Sequence, residues 1–245
     1  MKKIFLLFAL CSLILVSCDD DKEPGNNGKV QLLETVLWYG VLEVEFEYDS
    51  QHRISKMIFY DTDGVTINET ITFVYDGNSI LLTYTHALFP QYTRIYTRKD
   101  NKVTVNYVGN YVNSSGIIYL DNDSYPIKSV FFDGSEEIAT IDYKYLNGNL
   151  IQRTETQKDI NFDTYSRTFL FAHDNKKSPF YYCRTPKWVL IPYFLSDITF
   201  LGGVIGIKNN VNQLGSRPIM LTYDGDFLKT MNYGYGETTF TYIVK

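Results

Sequence analysis

Cysteine and histidine are scarce in this chain, with three of each among 245 residues. His52, His86 and His173 stand far apart, without Cys or His neighbours at ligand spacing, so a zinc site has little to build on. Positive charge is also thin: 23 Lys and Arg face 28 acidic residues, a net charge of −5, and they form no basic stripe. Phosphate binding requires clustered cations, so nucleic acid is excluded as a partner. The strained serine elbow of many hydrolases is missing too, because Gly77-Asn78-Ser79-Ile80-Leu81 lacks its second glycine. Glu45, Glu47 and Glu136 could be paired for glycoside cleavage, but nothing in the sequence sets their separation. The short acidic pairs, Asp61 with Asp63 and Asp121 with Asp123, fall short of calcium-loop spacing and read as turns. The expectation is a non-enzyme with no catalytic residues, no metal and no cofactor.

What is present begins at the N-terminus. Lys2 and Lys3 precede an apolar run from Ile4 to Val16, the pattern of a secretory signal peptide. A retained spanning helix would need about 20 apolar residues. The run ends in Leu15-Val16-Ser17-Cys18, which resembles the lipobox of bacterial lipoproteins. Residues 1–17 are therefore read as a lipoprotein signal peptide and Cys18 as the acylated first residue, held at a membrane by chains that gain about 0.8 kcal/mol per buried methylene. Asp19, Asp20 and Asp21 follow at once, and this run resembles the surface-export signal of Bacteroidetes lipoproteins. The expected location is the outer membrane, lipid-anchored and exposed at the cell surface. Residues 18–30 are polar and rich in Gly and Asn, a flexible tether that reaches on the order of 20 Å. With Cys11 removed and Cys18 lipidated, Cys183 is alone and no internal disulfide is available. Apolar burial must hold the fold, and 44% hydrophobic residues supply it.

Residues 31–245 are expected to form a single all-β domain. Val44-Glu45-Phe46-Glu47-Tyr48 and Val103-Thr104-Val105-Asn106-Tyr107 alternate with the period of half-buried strands. Between such runs lie Asp63-Gly64, Asp76-Gly77, Asp133-Gly134, Asn147-Gly148 and Asp224-Gly225, which suit tight hairpin turns. An aromatic strand end followed by a turn recurs at Tyr48, Tyr75, Tyr145, Phe171 and Tyr223, mostly near multiples of roughly 26 residues, as stacked hairpin units would give. These patterns predict an antiparallel meander of hairpin repeats forming a curled sheet or barrel-like body. Residues 186–207 depart from it: the stretch is apolar but carries Pro192 and Gly202-Gly203, and is expected to be a short helix or irregular segment plugging one end.

The lipobox with its acidic run, the Tyr-Asp hairpins and Asp174-Asn175-Lys176-Lys177-Ser178-Pro179-Phe180 together resemble a family of Bacteroidetes surface lipoproteins. That family is an uncharacterised domain of unknown function with a porin-like fold and a D-N-K-x-x-P-F motif. The resemblance implies a barrel-like antiparallel sheet and carries over no catalytic residue. Alternation with charge on one face also describes a membrane barrel, but Lys, Asp and Asn within the strands and the redundant lipid anchor argue against insertion.

Tyrosine is abundant, with 21 residues, and most fit cross-strand packing on a pleated surface. Trp38 and Trp188 lie near segment ends and are the candidates for exposed ligand stacking. The sequence thus points to a lipid-anchored surface protein that binds an extracellular glycan or peptide, or that serves an outer-membrane complex. An envelope structural or adhesion role, with the Trp188 to Ile207 segment meeting a partner, is the alternative; a surface glycoside hydrolase ranks third.

Overall fold

The structure is a computed structural model that describes residues 29–109, 114–158, 164–196, 208–234 and 236–245. The signal segment, Cys18 and the run Asp19, Asp20 and Asp21 lie outside the described residues. So does the second half of the apolar segment, 197–207.

The first half of the chain is a strict meander of β1 (Gln31–Trp38), β2 (Val41–Tyr48), β3 (Ile54–Tyr60), β4 (Ile67–Asp76), β5 (Ser79–His86) and β6 (Tyr92–Lys99). It continues through β7 (Lys102–Val108), β8 (Ser114–Leu120), β9 (Pro126–Asp133), β10 (Glu136–Leu146), β11 (Asn149–Lys158) and the long β12 (Thr164–Lys177). One helix, α1 (Lys187–Ser196), then precedes β13 (Asn209–Leu214), β14 (Arg217–Pro218), β15 (Met220–Asp224), β16 (Phe227–Asn232) and β17 (Glu237–Val244). Consecutive strands pair antiparallel from β1 to β14 and again from β15 to β17, and β17 returns to β1 with Gln31 opposite Val244. The circle closes where β12 meets β16 in parallel at Lys177 and Phe227, giving a closed barrel of fourteen strands. The predicted meander, the barrel-like closure and the short helix after Pro186 are all present.

Turn chemistry explains the regularity. Each Gly of the five Asp-Gly or Asn-Gly pairs has positive φ, and at Asn147-Gly148 both residues do, at 53° and 80°. The acidic pairs also act locally: Asp63 Oδ1 accepts the amides of Val65 and Thr66, and Asp121 Oδ1 those of Asp123 and Tyr125.

Alternation decides what faces inward. In β10, Ile141 and Tyr143 are buried while Asp142 and Lys144 between them are exposed. The outer face carries cross-strand hydroxyl pairs such as Thr222 with Thr230 and Thr154 with Thr168. Its charges include Glu47 paired with Lys56 near the end of β2 and, in mid-strand, Asp142 and Lys144 of β10. A charge on a lipid-facing wall costs about 2–4 kcal/mol for Lys at mid-membrane, and spanning barrels have an apolar exterior and a polar lumen. This barrel instead encloses an aliphatic and aromatic core, and its outer wall mixes those hydroxyls and charges with exposed Val74, Leu170 and Met220.

The two ends differ. At the base, where β2, β4 and β10 finish, tyrosine hydroxyls tie strand to strand. Tyr48 donates to the Leu33 carbonyl, Tyr75 to Ile54 and Tyr145 to Pro126, at 2.7, 2.7 and 2.9 Å. The recurring aromatic strand end of the sequence is therefore a repeated latch. The segment after β12 stoppers the same end. Phe180 meets Phe46 edge-on, and Trp188, Val189, Leu190 and Ile191 are buried. The Thr185 hydroxyl accepts the Ile54 amide at 2.8 Å, and Arg184 N donates to the His52 carbonyl. Val30 and Lys245 also pair at the base through their backbones.

The D-N-K-x-x-P-F residues hold the seam. Asp174 Oδ1 accepts the amides of Lys176 and Asn210, and Tyr223 donates to Asp174 Oδ2. Asn210 Nδ2 in turn donates to the carbonyl of Lys177 at 3.1 Å. These bonds bind β12, β13 and β15 where the sheet changes partners, so a carboxylate at 174 has a structural task.

Candidate functional site

The opposite end of the barrel is the rim. A cavity of about 960 Å³ descends from it between β4 and β11. Its walls combine Tyr92, Tyr107, Phe131 and Ile141 with five charged groups, Glu69, Arg94, Arg153, Glu155 and Lys158. An apolar concavity with a few placed polar groups is what a small-molecule site requires.

Strand alternation puts these groups there. Tyr92, Arg94 and Tyr96 share the inner face of β6, while Thr93 and Ile95 point outward. Tyr84 and Tyr92 stack at 4.3 Å with 7° between planes, and Arg94 lies 4.6 Å from the Tyr84 ring centroid. Tyr107, from β7, brings its ring to 5.1 Å from the same guanidinium. Cation–π attraction thus offsets part of the penalty of burying this cation. Arg94 Nε is nonetheless buried with no hydrogen-bond partner, and among the described residues no carboxylate comes within ion-pair distance of Arg94. Arg153 differs, since it is ion-paired with Glu155.

Titration follows from burial. Glu69 is raised above the ordinary carboxylate range by desolvation, which His86 and Arg94 oppose. Burial pushes Tyr96 up to about 12, with Arg94 again opposing. Tyr96 follows on the same inner face toward the base, and its ring lies 6.2 Å from that of Trp188 on the stopper.

The two tryptophans singled out from the sequence do not meet here. Trp38 ends β1 at the rim, 38% exposed, and stacks on Tyr39 with ring centroids 5.9 Å apart. It is outside the cavity wall. Trp188 corrects the expectation of an exposed stacking residue: it is 5% exposed, because closure of the sheet turns the start of α1 into core. The partner-contact reading of this segment is likewise corrected for residues 188–191, all of them buried. Sequence reasoning missed Arg94, Arg153 and Glu69. A usable signal existed in Tyr92-Thr93-Arg94-Ile95-Tyr96, where a period of two puts an arginine between two tyrosines on one face. Among the described residues no group of three or more His, Cys, Asp or Glu is placed to hold a metal ion.

No protein-family model and no curated protein matches the chain. Among solved structures it is similar to a porin-like protein from Bacteroides uniformis ATCC 8492, at 15% identity and a TM-score of 0.49, over 89% of this chain and 97% of that one.

Proposed function

We propose that this protein is a non-catalytic binding cup, anchored through lipid on Cys18 at the outer membrane and displayed on the cell surface, that takes a small extracellular ligand into its lumen. The observation that carries this reading is the cavity of about 960 Å³ at the rim, on the end of the barrel away from Val30. A tether ending at Val30 holds the base toward the bilayer, so the mouth faces outward. The stoppered base favours a compact ligand or the end of a glycan or peptide, entering tip first, over a polymer threaded through. Aromatic walls suit the flat faces of sugars and aromatic side chains alike.

The test uses the whole lipoprotein in phosphatidylcholine nanodiscs, with empty discs as blank. Native mass spectrometry against mono- and disaccharides, short peptides and aromatic acids is run beside Ala139→Trp, which fills the cavity from its wall. The expected result is at least one ligand that binds the wild type and is lost in the variant, while near-ultraviolet circular dichroism shows both folded. Binding that survives Ala139→Trp, or no binding across the panel, overturns the reading.

A further inference from the structure

Resting on that reading of the lumen, we infer that Arg94 is an anchor for an anionic ligand, so that the cup selects small organic anions with a flat apolar body. Three observations carry it. Arg94 is a permanent cation on the inner wall, and its planar fork matches a carboxylate or sulfonate. No carboxylate of the described residues pairs with it, in contrast to Arg153, which Glu155 neutralises, and its Nε is buried without a hydrogen-bond partner. The rings of Tyr84, Tyr92 and Tyr107 surround it at 4.6, 5.7 and 5.1 Å from the guanidinium, so the surface beside the charge is aromatic.

The physical argument is one of compensation. The guanidinium meets the Tyr92 and Tyr96 hydroxyls, but its Nε stays buried without an acceptor, and an unmet buried donor is expensive. A ligand oxyanion supplies the missing acceptor and charge in a site of low dielectric, where the attraction is strong. The adjoining Tyr92, Phe131 and Ile141 then take the apolar body. Glu69 also lines the cavity, where burial raises its pKa and His86 and Arg94 hold it down, so it opposes an incoming anion without pairing with the guanidinium. A neutral ligand of the same shape fills the volume but leaves the guanidinium as it was. Discrimination therefore comes from the charge and not from the fit.

The experiment compares 2-naphthoate with 2-naphthamide, which share a ring system and differ in charge. Isothermal titration into the whole lipoprotein in phosphatidylcholine nanodiscs measures both, for the wild type, Arg94→Met, Arg94→Lys and Ala139→Trp. The wild type is expected to bind naphthoate at least about tenfold tighter than naphthamide, as a charge-assisted hydrogen bond gives. In Arg94→Met that ratio falls to near one, and Arg94→Lys restores part of it. Equal binding of the two probes by the wild type, or a ratio unchanged in Arg94→Met, overturns the anion inference while leaving the lumen reading intact. Naphthoate binding that persists undiminished in Ala139→Trp overturns the lumen reading itself. If Arg94→Met is unfolded by circular dichroism, the ratio in folded Arg94→Lys decides: a value between one and that of the wild type supports the anchor, and a value equal to that of the wild type rejects it.

Discussion

The hydroxyl of Tyr75 donates to the carbonyl of Ile54 at 2.7 Å, across the hairpin it closes. The same bond recurs from Tyr48 to Leu33, Tyr145 to Pro126 and Tyr242 to Leu228. Each replaces water on a carbonyl that the strand ladder leaves at the base. Changing Tyr48, Tyr145 or Tyr242 to Phe should lower unfolding free energy by about 1 kcal/mol, because the ring stays and only the bond is lost, and Tyr75→Phe should cost more because its hydroxyl also meets Thr185 Oγ1. Urea denaturation of the single variants and of Tyr48→Phe with Tyr145→Phe should show additive losses, since the sites share no partner.

The bond from Tyr223 to Asp174 makes a different prediction. Asp174 also accepts two amides, so Asp174→Ala leaves several donors unmet and should destabilise by about 2–4 kcal/mol. Tyr223→Phe should cost less. A double-mutant cycle should give a coupling energy of at least about 0.5 kcal/mol, and strict additivity would show that the seam is held elsewhere.

Acid should act through His173. Burial lowers its pKa from 6.5 to about 4, with Asp174 opposing only in part. The unfolded chain therefore binds a proton at a pH where the folded one does not. The stability this group contributes is complete above 6.5 and is lost as pH falls toward 4. Its partial exposure reduces the effect to on the order of 2 kcal/mol. His173→Gln should flatten the stability profile across that window, as followed by thermal melts.

Glu69 bears on binding instead of folding. Its carboxylate shares a low-dielectric cavity with Arg94, so Glu69→Gln at pH 7.5 should tighten 2-naphthoate binding by about three- to tenfold. Naphthamide affinity, read by the same titration, should change less.

For the anchor, Cys18→Ala should release the protein from the membrane fraction on cell fractionation. Protease added to intact cells should remove the wild-type body if it is displayed outward. Retention of Cys18→Ala in the membrane would argue for attachment by some other part of the chain.

Much of the architecture was legible in local chemistry. Val103 to Tyr107 alternates so regularly that strand and buried face follow from it, and Asn147-Gly148 fixes its hairpin because both residues must take positive φ. The periodic Tyr48, Tyr75 and Tyr145 were visible as a repeat, though not as latches, since their acceptors lie on other strands. The cavity was not legible. Arg94 shares its face with Tyr96, but only the curvature of the closed sheet decides that this face encloses space. Trp188 misled for a related reason: its neighbours in sequence end a strand-free segment, whereas its neighbours in space, such as Tyr96, arrive from a distant strand.

The contact between Trp188 and Tyr96 has one more consequence. A tube corked at one end has a single door. On the proposed reading of the lumen, whatever enters at the rim leaves by the rim, which fits holding a molecule better than conducting it. Rim residues such as Phe89 and Pro90 then set how long a guest stays, and a change there should alter dwell time before it alters the fold.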